Sequence, residues 1–191
     1  MKTAILAWGS LIWQPKDLLF YTEFGWKADG PILPIEFGRI SKDGRLTLVI
    51  TENGCIVPTL YTLSKYETLD EAILNLAVRE GSGRASIGSY DKSKNEFSHK
   101  VFFEQNISDW IKEKDFDAVI WTNLEENWVI KNESGKIIDT IEPIERIKYL
   151  KNLKGNASAL AEEYIRKTPV QIKTKYRAKI EEELNWKPIL K

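Results

Sequence analysis

The stretch "AILAWGSLIWQP", Ala4 to Pro15, is an apolar run halted at its centre by Gly9-Ser10, with Trp8 and Leu11 on either side of the break. Thr3 to Trp8 is short and apolar and reads as a buried strand. The same break argues against a secretory signal. Gly9-Ser10 and Trp13 interrupt the apolar stretch, and "QPKDLLFYTEF" offers no small-residue cleavage site. What remains is a strand that ends in a loop. Glycine tolerates conformations other residues resist and serine adds a small donor, so several main-chain N–H groups there can turn toward one point, as in an anion-binding nest.

Working outward, further strands are expected at Leu18 to Trp26, Leu33 to Ser41, Arg45 to Thr51 and Ile56 to Leu63. Within them "ISKDGRLTLVIT" is a hairpin, its Asp43-Gly44 dipeptide supplying the turn. Strands joined by tight turns suggest an antiparallel sheet curling toward a barrel. The period then changes. In "TLDEAILNLAVREGSG" Thr68 caps a helix, Leu69, Ile73, Leu76 and Ala77 form its apolar stripe, and Gly81 and Gly83 end it, so Glu80 is delivered to the helix's C-terminal edge. Strands follow at Lys100 to Glu104 and Ala118 to Trp121, with a short helix around Ile107 to Lys112. From Glu142 the chain is expected to be helical, broken at Gly155 and Pro169. The whole, residues 1–191, reads as one domain, with a sheet core over about 1–130 and a helical extension over about 140–191.

Composition narrows the chemistry. Lys plus Arg and Asp plus Glu each total 28, which leaves no net field to hold a polyanion, so nucleic acid is not the expected partner. No segment reaches the length of a bilayer span, and a soluble cytoplasmic chain is expected. One cysteine, Cys55, and one histidine, His99, leave no disulfide framework and no Cys/His zinc site. Cys55 is expected to be a packed thiol. His99 is expected on the polar face of a strand, opposite Phe97, Val101 and Phe103. Ser-His-Asp and Cys-His catalysis would rest on His99 alone, which leaves acid/base chemistry to carboxylates. In the tail, Lys173, Lys175, Arg177 and Lys179 run directly into Glu181, Glu182 and Glu183, a solvated mixed-charge helix face.

Two segments carry a family resemblance. "ILAWGSLIW" resembles the strand-loop signature of the gamma-glutamylcyclotransferase-like superfamily (ChaC and AIG2-like proteins), whose members carry Tyr-Gly-Ser-Asn or Tyr-Gly-Ser-Leu after the first strand. In the ChaC-type glutathione-degrading branch a large apolar residue and Trp follow, as Leu11-Ile12-Trp13 do here. "LNLAVREG" is similar to a second landmark, a helix end carrying an Arg-Glu pair, here Arg79-Glu80. "DGPILPIEFGRISKDGRLTLVI" is similar to a bacterial group within the same superfamily. The likeness to the superfamily covers roughly the first two thirds of the chain; the tail matches that closer group alone.

The resemblance implies an α+β fold built on a mixed, mainly antiparallel β-barrel with flanking helices. It implies a loop of Trp8, Gly9, Ser10 and Leu11 that holds a gamma-glutamyl group through backbone N–H groups, and Glu80 as general acid/base with no cofactor and no metal. Trp8 stands where the superfamily has tyrosine, which removes a hydroxyl and adds bulk. The chemistry fits these parts. A gamma-glutamyl compound carries its own nucleophile, the α-amine, and holding it against the γ-carbonyl is worth roughly 7–11 kcal/mol as effective molarity. One carboxylate that takes the amine's proton and returns it to the leaving amine adds ~10²–10⁴-fold. The role requires Glu80 to be partly withdrawn from water, and its place at the negative end of a helix runs against local preference.

Other residues stay open. Arg39 can pair with a substrate carboxylate or stand on the outer face of its strand, and Glu36 falls on the face opposite Arg39 if that strand is regular. Ser82 and Arg84 follow Glu80 and can line the same loop; Trp13, Trp26 and Trp121 can wall a pocket or fill the core. Three functions follow: an enzyme that cyclises a gamma-glutamyl amine or peptide to 5-oxoproline, a non-catalytic module binding a small carboxylate-bearing molecule on the same fold, or an interaction domain resting on the tail. Fold alone does not choose among them.

Overall fold

Strand-period and helix-period segments stay separate along much of the sequence, and the computed structural model is accordingly α+β. It describes residues 1–127, 129–131, 137–140 and 143–189, the side chains at 129–131, 137–140, 143 and 144 excepted. The strands are β1 (Thr3–Ala7), β2 (Ile32–Ile40), β3 (Leu46–Ile50), β4 (Cys55–Pro58), β5 (Leu60–Leu63), β6 (Ile87–Asp91), β7 (Glu96–Phe97), β8 (Ala118–Thr122), β9 (Val129–Lys131) and β10 (Ile137–Thr140). The helices are α1 (Leu69–Glu80), α2 (Glu104–Lys112), α3 (Pro143–Asn152), α4 (Gly155–Lys167) and α5 (Lys175–Leu184). The chain divides into two compact units, residues 1–33 with 56–124 and residues 34–55 with 125–191.

The first unit is built on a sheet ordered β5-β1-β8-β6-β7. β1 runs antiparallel to β5 and parallel to β8, and β6 runs antiparallel to β8 and β7, so the sheet is mixed and mainly antiparallel. Among the described residues it is open, with β5 and β7 at its edges, and does not close into a barrel. Every residue of β1 is buried, as its unbroken apolar run requires. α1 lays Ala72, Ile73, Leu76 and Ala77 against Ile5 and Ala7 of β1, Ile87 of β6 and Ile120 of β8. Each large aliphatic side chain buried this way contributes roughly 1.5–3 kcal/mol. The neighbouring residues of β8 alternate away from α1, and Trp121, fully buried, lies flat on Gly88 with Phe103 at its edge.

Three strand expectations are corrected here. Leu18 to Trp26 is no strand: it touches the β5 side at two isolated bridges, Phe20 with Ser64 and Lys27 with Tyr61. Between them Gly25, at φ 66°, turns the chain, and Asn75 of α1 meets the segment by accepting from the Leu19 N–H at 2.8 Å and donating to the Asp17 carbonyl at 2.9 Å. Ile56 to Leu63 is two strands, β4 and β5, parted at Thr59, whose hydroxyl donates to the Pro31 carbonyl. Lys100 to Glu104 is the turn entering α2, so His99 lies outside any strand, its Nδ1 2.8 Å from the Ser98 hydroxyl. Sequence reading missed β6, whose "IGSYD" is too polar to announce a fully buried strand.

In the second unit the Asp43-Gly44 hairpin forms as its sequence requires. β2 and β3 pair antiparallel, Gly44 takes φ 82°, and the Ser41 N–H donates to Arg45. β2 is not regular: its register shifts between Phe37 and Arg39, with Gly38 the extra residue, so the condition under which Glu36 and Arg39 would take opposite faces is not met. The helical tail breaks as expected around Gly155 and before Pro169, and its expected start at Glu142 lies outside the described residues. α3 and α4 cover the hairpin: Tyr149 donates to the Gly44 carbonyl at 2.6 Å and the Leu48 N–H donates to the Tyr164 hydroxyl at 3.3 Å. Arg177 corrects the picture of a solvated basic face. It is 3% exposed and donates to the carbonyls of Thr168, Pro169 and Ile172 and to Glu181. Glu36, 2% exposed, accepts from the N–H groups of Phe37 and Tyr176, with the Cys55 thiol 3.8 Å away. Burial raises the Glu36 carboxyl above its ordinary 4.5, against the hydrogen bonds and the Arg146 charge that lower it.

Two outcomes follow. A Cβ on Gly88 would stand 2.2 Å from the Trp121 indole, so Gly88→Ala costs about 1–3 kcal/mol, read as a fall in Tm. Because the folded chain binds the Glu36 proton more tightly than the unfolded chain, this group's stabilisation is full below its unfolded value and is lost as pH rises through the folded one. Glu36→Gln therefore gains stability relative to the native protein as pH rises from about 4.5 through the raised folded value, as measured by denaturant titration. A difference that stays flat across that range would show that Glu36 is not the responsible group.

Candidate active site

At the end of β1 the chain turns at once. The Ile12 N–H donates to Gly9 at 3.1 Å and the Gln14 N–H to Ser10 at 2.8 Å, winding one tight turn. Its leading amides, those of Gly9, Ser10 and Leu11, have no acceptor among the described residues. Gly9 is not among the positive-φ glycines, so the turn does not depend on a left-handed conformation there. Leu11 sends its side chain into the α1 core and leaves its N–H in the loop. Trp8, one residue past the end of β1, is buried but is not part of that core.

The second element is the end of α1. Thr68 caps its start by accepting from the Glu71 N–H, and Gly81 closes it at φ 61° and ψ 35°, its N–H turned back on the Val78 carbonyl while the Ser82 N–H reaches Ala77. That closure fixes the last turn, which carries Arg79 and Glu80. The Glu80 side chain is 15% exposed. Its Oε1 accepts from Arg79 Nη1 at 2.6 Å, and its Oε2 makes no hydrogen bond among the described residues. Nη2 of the same guanidinium donates to the Ser10 hydroxyl at 3.2 Å and to the Gln14 carbonyl at 2.8 Å. Glu80 and Ser10 are thus both in hydrogen-bond reach of one buried cation.

The remaining candidates are elsewhere. Arg39 belongs to the second unit and donates to the Glu125 carbonyl at 2.7 Å. Arg84 pairs with Asp70 at the surface. Ser82 keeps its Oγ buried and without a partner among the described residues. Trp121 is core, and Trp26 packs against the α1 cluster beside Phe20. Cys55 is a free, half-buried thiol raised by burial. Sequence reading missed the part played by Arg79. The signal was present: Ala72, Leu76 and Arg79 recur at helical spacing on the buried side of α1.

Among the described residues no cluster of three or more His, Cys, Asp or Glu side chains could hold a metal ion, and no helix is long and apolar enough to cross a membrane. No family model, curated protein or solved structure matches the chain. Gly81 and Gly83 provide a check on the helix end. Neither has an atom within 4 Å of an added Cβ, but only Gly81 is left-handed. Gly81→Ala is expected to cost about 1–2 kcal/mol, while Gly83→Ala stays within about 0.5 kcal/mol of the native protein in thermal unfolding.

Proposed function

We propose that this chain is a gamma-glutamylcyclotransferase-like enzyme that cyclises a gamma-glutamyl amine or peptide to 5-oxoproline and releases the free amine. The observation that carries the proposal is the meeting of Glu80 and the Gly9-Ser10 loop at the Arg79 guanidinium, beside amides that have no acceptor among the described residues. The substrate's α-amine nitrogen forms a bond to its γ-carbonyl carbon, and the bond from that carbon to the departing amine breaks. Glu80 Oε2 takes the proton that the attacking nitrogen gives up and returns it to the leaving nitrogen, so no net proton is consumed. The loop amides of Trp8 to Leu11 hold the gamma-glutamyl part and stabilise the oxygen on which charge develops. On this proposal the mixed sheet of the first unit corresponds to the superfamily's barrel, and a reducing cytoplasm is the compartment suited to the free Cys55.

One observation favours a second reading. Glu80 Oε1 is already engaged by Arg79 in an ion pair that is largely buried, as a purely structural carboxylate would be. On that reading the loop holds a small carboxylate-bearing ligand and no bond is broken. The deciding experiment measures 5-oxoproline release from glutathione, gamma-glutamyl dipeptides and gamma-glutamylamines by the native protein and by Glu80→Gln. Release that falls by at least about 10²-fold in the variant supports the enzyme. A folded native protein that binds 5-oxoproline by calorimetry yet releases none supports the binding module.

A further inference from the structure

The proposed chemistry assigns work to Glu80 and to the loop, and none to the residue that touches both. Arg79 is 8% exposed. Arginine is seldom buried to this degree unless its N–H groups are paired. Here the pairing is divided between two elements: one arm of the guanidinium holds Glu80, the other holds Ser10 and Gln14. Its Nε, also buried, has no acceptor among the described residues, and neither has the buried Ser82 Oγ three residues on. A buried donor left unsatisfied is a local cost, and here it falls on the turn of α1 that presents Glu80. Arg177, in the second unit, shows what a purely structural buried arginine looks like. Its acceptors are three carbonyls of one nearby turn and a glutamate one helical turn along.

We propose that Arg79 is the positioning residue of this site, fixing the Glu80 carboxylate with one arm and the turn of the 9–14 loop with the other. Its effect on turnover rests on the catalytic proposal above; its effect on the loop does not. The planar fork is essential, because a lysine ammonium is a single point charge and cannot serve both arms in the same geometry. The Ile12 and Gln14 amides, hydrogen-bonded inside the loop, report the loop arm directly. Turnover reports the Glu80 arm.

The test compares the native chain with Arg79→Lys and Arg79→Ala. Amide exchange followed by NMR is expected to quicken about tenfold or more at Ile12 and Gln14 in Arg79→Lys, with β8 amides unchanged as evidence that the fold persists. Turnover of the best gamma-glutamyl compound is expected to fall about 10²-fold, chiefly in kcat. Added guanidinium ion, but not ammonium, is expected to restore part of kcat saturably in Arg79→Ala, a response that mere loss of stability would not give. If Arg79→Ala does not fold, Arg79→Lys carries the kinetic comparison. Native-like exchange in a folded Arg79→Lys overturns the proposal. So does full turnover in Arg79→Lys, or Arg79→Ala activity indifferent to guanidinium. A native protein that releases no 5-oxoproline defeats the catalytic proposal alone, and exchange at Ile12 and Gln14 then decides the positioning role by itself.

Discussion

A guanidinium withdrawn from water must find acceptors, and for Arg79 this requirement shapes the first unit's site. Three are supplied: a carboxylate one residue along, a hydroxyl and a carbonyl from the loop after β1. The last two would not be in place if β1 continued as a strand beyond Ala7. The loop has to turn within five residues, as the bonds from Ile12 to Gly9 and from Gln14 to Ser10 make it do. The helix has to stop just after Glu80, as Gly81 makes it do. Removing one partner of a buried ion pair typically costs about 3–5 kcal/mol, and the guanidinium that pairs with Glu80 also holds the loop, so loop and helix end are coupled through Arg79.

The same demand is met differently in the second unit. Arg177 donates to the carbonyls of Thr168, Pro169 and Ile172, which ties the turn before α5 to that helix, and its remaining contact is with Glu181 on the same helix. Glu36 sits beside the start of α5, at a Tyr176 N–H, although burial makes its charge unfavourable. These groups set the packing of a helix on a hairpin. Arg79 instead spends two of its three contacts on side chains, Glu80 and Ser10, whose residue types can move protons or hold ligands, and the third on the Gln14 carbonyl. That difference in acceptors separates a structural arginine from one placed at a site.

The parts of this structure legible in the sequence are those governed by neighbours. Asp43-Gly44 dictates its turn, Thr68 and Gly81 bracket α1, and the helical tail breaks where its glycine and proline fall. What was not legible depends on partners far along the chain. Leu18 to Trp26 has strand composition, but Gly25 and the reach of Asn75 divert it. β6 is buried by β8, not by its own polarity, and the Gly38 bulge undoes the alternation on which opposite faces for Glu36 and Arg39 were argued. At the site, Glu80 and Gly9-Ser10 could be singled out. Arg79 could have been found from its phase with Ala72 and Leu76, because a charged residue on an apolar stripe has to be paired.

The placement of Trp8 bears on specificity. Ile5 and Ala7 pack with α1, whereas Trp8, one residue past the end of β1, is buried without joining that core. On the proposed function, the exchange of tyrosine for tryptophan therefore leaves the apolar cluster that packs α1 on β1 unaltered, and its bulk is felt through the backbone of the loop it opens. On that proposal the general acid/base and its positioning arginine belong to the end of α1, and the position at which this chain departs from the pattern it resembles opens the loop after β1. Proton transfer is then set by the helix end and ligand fit by the loop, the two joined through the Arg79 guanidinium.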